Sequence, residues 1–300
     1  MKICDAHCHF FSSRYLELLT KGRNEFPDDD RATAVAKQLG WDPPGSVDSL
    51  ADRWITEMAR NGVSRNALIA SIPGDEVSVA EAVAKHPTHF VGFFMFNPDA
   101  PDAAATLERA LGEHKLRAVA LFPAMFANQL RNANGLKTFE AAAARGAAVF
   151  VHCGALTVGV RKKLGLPSRF DIRYGNPLQI AGLATQFPTV PVIIPHFGAG
   201  MLREALMVAD QAPNVYFDTS SSNGWIKYYP GLTLEAVFKT VLSVVGPDRL
   251  LFGTDSSFFP RGWQRPIFDA QSAVLSALDV SDDHRARIMG GNFERLFPSA

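Results

Sequence analysis

Four of the eight histidines in this chain and one aspartate stand where they could hold a metal ion. In Asp5-Ala6-His7-Cys8-His9 two imidazoles sit two residues apart at the end of a short apolar run, Met1 to Cys4. Read as a strand, that run alternates its side chains across two faces. His7 and His9 then share one face about 6.6 Å apart along the chain, with Cys4, Ala6 and Cys8 on the other. One His-X-His is more often a pair of ordinary histidines. Three further residues are placed alike, each closing an apolar run: His152 in Val-Phe-Val-His-Cys-Gly, His196 in Val-Ile-Ile-Pro-His-Phe-Gly, and Asp255 in Leu-Leu-Phe-Gly-Thr-Asp-Ser. Imidazole and carboxylate suit zinc first, and manganese or iron less selectively. Three histidines and an aspartate make a four-ligand set to which water can be added, and a divalent ion lowers the pKa of such a water towards neutrality. A fourth histidine outside the set could take or give a proton, since imidazole titrates near neutral pH.

These residues can meet only if their strands lie side by side. Strand-like segments are predicted at Ile3–His9, 66–72, Phe90–Phe96, 118–122, 147–152, 192–196, 214–218 and 250–253, most of them near-continuous apolar runs of the kind covered on both faces. Helix-like segments lie between them at 48–61, 75–86, 102–114, 136–145, 177–186, 201–211, 232–245 and 266–278, with a last piece at 282–297. Eightfold strand–helix alternation over 300 residues predicts an α/β fold, a (β/α)8 TIM barrel forming a single domain over residues 1–300. An open doubly wound sheet would show a Gly-rich turn after its first strand, and none is there. Active residues of barrels lie at the C-terminal strand ends, where all five of these residues fall. Residues 20–47, with Pro27, Asp28, Asp29, Asp30, Pro43, Pro44 and Gly45, read as an inserted loop over the barrel mouth.

Composition narrows the class further. Apolar residues make up 47% and charged residues 20%, a globular balance with a formal net charge of zero, so nothing in the bulk charge points to nucleic acid or an anionic membrane. No apolar run is long enough to span a bilayer and the start lacks the shape of a signal peptide, which makes the cytoplasm the expected compartment. The three cysteines, Cys4, Cys8 and Cys153, have no framework spacing and read as small buried hydrophobes facing away from the imidazoles.

Taken in order, the motifs resemble the amidohydrolase superfamily, in the branch that also holds aminocarboxymuconate semialdehyde decarboxylase. The matching pieces are Asp5-Ala6-His7-Cys8-His9, Phe150-Val151-His152-Cys153-Gly154, Pro195-His196-Phe197-Gly198, the stretch from Asn214 to Ser220, Leu251-Phe252-Gly253-Thr254-Asp255-Ser256, and the closing stretch from Gly291 to Phe297. The resemblance implies that His7, His9, His152 and Asp255 bind one divalent metal ion. It also implies that His196 orients or activates a water or protonates substrate, with Asp255 bordering the same water. Binuclear members carry a carboxylated lysine or a glutamate at the end of strand four. This chain has Ala120, Leu121 and Phe122 there, so one ion is expected, zinc first and manganese second.

Substrate recognition is less legible. The stretch 156–176 is long and basic, and Arg161, Arg169 and Arg173 are the candidates to grip a carboxylate, since arginine binds carboxylates bidentately. Arg14, just after strand one, is another such candidate; Asn97 and Trp225 follow strand ends and could line the pocket, and Phe10, Phe11, Phe122, Phe126, Phe197, Phe258 and Phe259, also after strand ends, suggest an apolar or aromatic-friendly one. The expected activity is metal-dependent hydrolysis of a C–O or C–N bond in a small, carboxylated organic molecule. The alternative at the same site is non-oxidative decarboxylation of a small aromatic or unsaturated acid, and a third reading is binding without turnover. The expected partners are a small-molecule substrate and a second copy of the chain in a homodimer, without nucleic acid or membrane.

Overall fold

The computed structural model describes residues 1–220 and 223–299. Its eight parallel strands run in sequence order: β1 Ile3–His9, β2 Val63–Ala70, β3 Phe90–Phe96, β4 Ala118–Leu121, β5 Ala148–Val151, β6 Val192–Ile194, β7 Val215–Asp218 and β8 Leu250–Leu251. The ring closes where β8 and its following turn meet β1. Ala6 N–H donates to Phe252 O at 2.8 Å, His9 N–H to Ser256 O at 2.7 Å and Asp255 N–H to His7 O at 2.9 Å. This is the TIM barrel that the alternation predicts, with helices between the strands. Among the described residues no helix is long and apolar enough to cross a membrane.

Both sheet faces are covered, which is why the strands read as continuous apolar runs. Ala67, Ile69, Phe93, Ala120, Phe150 and Ile193 fill the barrel interior. Leu68, Phe94, Val119, Val149, Ile194 and Phe217 face outwards into a layer shared with Trp54, Phe139 and Phe238 of the helices. The sequence places β2 three residues late. Val63 is buried and pairs with Ile3, while Arg65, which breaks the apolar run, passes its guanidinium under the barrel to Phe297 O at 2.5 Å.

Strict alternation fails in β1, and this corrects the sequence reading. Asp5 pairs with Asn66 and Cys8 with Leu68, so β1 advances three residues while β2 advances two. Such a bulge shifts the side-chain parity. Cys4 and Ala6 therefore lie in the barrel interior, on the imidazole side rather than away from it, while Cys8 still faces outwards. All three thiols are buried and unpaired, and burial pushes the Cys4 thiol up to about 12.

The stretch 20–47 contains a helix, Arg31–Leu39, ended by Gly40 at φ 70°. Val35, Ala36 and Leu39 of this helix pack with Tyr15, Phe26 and Trp41, and with Val160 and Leu164 from the loop after β5. Arg31 fastens its start by donating to Thr20 O at 2.9 Å and Arg23 O at 2.8 Å.

Candidate metal centre and its cavity

The bulge aims His7 into the mouth beside His9. Their Nε2 atoms are 3.3 Å apart, and Asp255 Oδ1 lies 3.1 Å from His9 Nε2 and 3.6 Å from His7 Nε2. Hydrogen bonds behind each ring fix which nitrogen carries the proton. Asp218 Oδ2 is 2.6 Å from His7 Nδ1, and a carboxylate accepts, so Nδ1–H donates and Nε2 keeps its lone pair. Ser71 donates its hydroxyl hydrogen to Ile69 O at 3.0 Å, so it accepts from His9 Nδ1–H at 2.6 Å. Two imidazole lone pairs and a carboxylate oxygen thus converge with no hydrogen between them, an arrangement that a divalent cation satisfies. A carboxylate behind a ligating imidazole is the usual support in metal sites.

His152 and His196 border this group. His152 stacks on Phe122 with ring centres 5.3 Å apart, and its Nδ1 is buried with no hydrogen-bond partner. It falls outside the 4.8 Å grouping that unites His7, His9 and Asp255. His196 lies between, 4.9 Å from His7 and 5.3 Å from His152 by ring centres. Its Nδ1–H donates to Ser220 O at 3.0 Å, leaving Nε2 as a proton acceptor. The chain enters both bordering turns through unusual backbone. His196 has φ 55° and Asp255 φ 60°, left-handed conformations of the kind that gather at functional sites. After His152, Gly154 passes so close to the turn after β6 that a Cβ would lie 2.2 Å from Gly198 O.

The electrostatics suit metal binding. Burial lowers the pKa of His9, His152 and His196, keeping them neutral, and His152 is driven down further by His196 and His7. Burial would lower His7 too, but Asp218 and Asp255 outweigh it and raise it. Burial would raise Asp255, yet His9, His7 and His196 hold it below the usual carboxylate range. His9, His152 and Asp255 are thus held in the neutral and ionised forms that ligation requires, while the carboxylates beside His7 favour a proton that a bound cation would displace. Beneath the centre, buried Asp5 accepts from His7 N–H at 3.0 Å, Thr254 N–H at 3.1 Å, Trp263 Nε1–H at 2.7 Å and the Thr254 hydroxyl. Burial pushes its carboxyl up to about 6. Asp5 thereby ties the β1 bulge to the turn that carries Asp255.

A family model described as amidohydrolase matches residues 4–299. The chain belongs to the amidohydrolase family. This is a family of enzymes. Among curated relatives of this chain, a 2-keto-4-carboxy-3-hexenedioate hydratase of Sphingobium sp. is 31% identical over 132 residues, 39% of this chain and 36% of that protein. The match thus spans little more than a third of that relative. A solved 5-carboxyvanillate decarboxylase of Novosphingobium aromaticivorans, with bound manganese and 3-methoxy-4-hydroxy-5-nitrobenzoic acid, superposes with a TM-score of 0.66 at 14% identity, covering 99% of this chain and 97% of that one. An amidohydrolase of Burkholderia multivorans with bound zinc superposes with a TM-score of 0.62 at 14% identity over 100% of both chains. At such identities the likeness to these structures is one of fold.

In this chain the group of His7, His9 and Asp255 floors a cavity of about 420 Å³. Phe11, Trp41, Phe122 and Phe258 are among its walls, and Tyr15, Lys163 and Arg261 also line it. Trp41 comes from the inserted stretch. The five substrate-binding candidates lie elsewhere. Arg161 donates to Pro167 O at 2.6 and 3.0 Å, closing its own loop. Together with exposed Arg169 it borders an adjoining pocket of about 410 Å³ that shares Tyr15, Ser71 and Met125 with the main cavity. Arg173 is paired with Asp171 and faces solvent. Asn97 accepts from Asn128 at 3.1 Å, and Trp225 is buried in the outer core against Tyr229. Sequence reasoning assigned no role to Asp218 or Ser71, although both stand at strand ends, the same signal that picked out the histidines. Arg261, several residues beyond β8, had no such signal.

Proposed function

We propose that this chain is a metal-dependent hydrolase acting on a C–O or C–N bond of a small carboxylated molecule. The observation that carries the reading is the convergence of His7 Nε2, His9 Nε2 and Asp255 Oδ1 with their lone pairs facing one another. These three, joined by His152, would hold one divalent ion, and the donor set suits zinc, with manganese as the second choice. When bound, the ion would supply Lewis acidity towards a water and a substrate carbonyl. His196 takes a proton at Nε2, its Nδ1–H being anchored on Ser220 O. Asp255 borders the same space as a second acceptor. Asp218 and Ser71 hold the two imidazoles in the tautomers that leave Nε2 unprotonated. The test is an assay of pooled lactones, amides and aromatic acids, with zinc- and manganese-loaded protein, read separately for acid release and for CO2. Acid release that disappears on chelation supports the hydrolase, and none from any lactone or amide sinks it.

A second reading, non-oxidative decarboxylation, is favoured by the aromatic lining of the cavity and by the fold shared with a 5-carboxyvanillate decarboxylase. In that case His196 would deliver a proton to the carbon that loses CO2. CO2 release without acid release in the same assay decides for it.

A further inference from the structure

Besides the residues of the metal centre, the cavity presents two cations, Arg261 and Lys163. Arg261 is held in place by a pile of flat groups. His9, Phe11, Trp41 and Phe258 follow one another at centre separations of 5.5, 5.4 and 4.4 Å, with interplanar angles of 22° or less. The guanidinium carbon of Arg261 caps the pile 4.6 Å from the Phe258 ring centre. Its Nη2 donates to the main-chain oxygen of Asp255 at 3.2 Å and to Ser257 Oγ at 2.5 Å. Nε and Nη1 also carry N–H donors, and among the described residues these meet no protein acceptor and the guanidinium meets no carboxylate. Other arginines of this chain are paired, Arg53 with Asp42, Arg109 with Glu76 and Arg287 with Asp248.

We propose that Arg261 binds a carboxylate of the substrate and thereby sets specificity for carboxylated molecules, with Lys163 adding a second positive charge. The inference rests on the reading of this cavity as the substrate site. A guanidinium fixed by stacking and by two hydrogen bonds loses little freedom when it takes an anion, and its planar donors match a carboxylate. Phe11, Trp41 and Phe258, whose faces are taken up by one another and by Arg261, add apolar wall beside it. Close to the metal centre, such an anchor would orient one end of the substrate while the other meets His196.

The test is calorimetric binding of isophthalate and of uncharged benzamide to zinc-loaded protein. Wild type is expected to prefer isophthalate. Arg261→Met should weaken isophthalate about ten- to hundredfold, the scale of a lost charged hydrogen-bonding partner, and leave benzamide within about twofold. Arg203→Ala, on the helix Leu202–Gln211, should change neither. Circular dichroism checks the fold, and if the methionine variant does not fold, Arg261→Gln carries the same expectation. Wild-type affinity for isophthalate in the folded variant, or no preference for isophthalate over benzamide in wild type, overturns the proposal. Failure of the hydrolase reading would look different, as absent turnover with the charge preference intact.

Discussion

Two loops over the mouth treat their charge in opposite ways. Residues 156–176, after β5, carry Arg161, Lys162, Lys163, Arg169 and Arg173, whereas residues 254–264, after β8, carry Arg261 alone. The first loop turns two of its five cations on itself, Arg161 on Pro167 O and Arg173 on Asp171. The second holds its single arginine on an aromatic face and two oxygens and leaves donors turned to no protein acceptor. A charge serves recognition through the donors its own surroundings leave unused, so density of charge along a loop is a poor guide.

The largest effect that could break this comparison belongs to the β8 loop. Asp255→Asn keeps a residue that tolerates φ 60° but weakens one of three converging acceptors. Metal content, by elemental analysis of dialysed protein, and activity should fall together, by more than the roughly 10–100-fold typical of losing a partner behind a ligand. If metal and activity survive, the β8 loop does not hold the centre. Next comes His196→Ala, expected to keep its metal and lose about 10²–10⁴-fold in rate, as for a missing general acid or base. Burial and His7 hold the wild-type His196 below its ordinary value, so its neutral, proton-accepting form persists as pH falls. The acid limb of kcat/KM should therefore lie below pH ~6.5, the unperturbed value of histidine. A limb above that would count against His196 as the base.

The weakening expected of Arg261→Met stands third. Smaller still is Arg161→Ala. Freed from Pro167 O, the turn 159–167 should be nicked faster by limited proteolysis, while kcat/KM changes by less than about tenfold. A KM rise as large as that for Arg261→Met would restore the β5 loop as the anion site. The smallest effect is that of Arg173→Ala. Its side chain is 85% exposed, so both kinetics and melting temperature should match wild type.

Much of the fold was legible because its signals are local and repeated. Runs such as Phe90–Phe96 are apolar at every position because both faces are buried, and the spacing of eight such runs leaves little room for another architecture. The convergence of His7, His9 and Asp255, with His152 and His196 beside them, was legible for the same reason: these residues end or follow strands, and a barrel gathers strand ends. Alternation failed where one extra residue in β1 moved Cys4 and Ala6 to the inner face, since a bulge is set by pairing with the neighbouring strand.

By itself the sequence determined which residue types stand at which strand ends, and through them the barrel and the side chains gathered at its mouth. The tertiary structure decided everything that depends on a partner remote in the chain. It brought Asp218 to His7 across 211 positions and Trp263 to Asp5 across 258. It placed Trp41 of the inserted stretch between Phe11 and Phe258, and so fixed the arginine that faces the cavity. Strand ends follow from periodicity, which neighbours in sequence carry. The direction of a long side chain follows from which acceptors and ring faces the folded chain sets around it, and those are known only once the loops have packed.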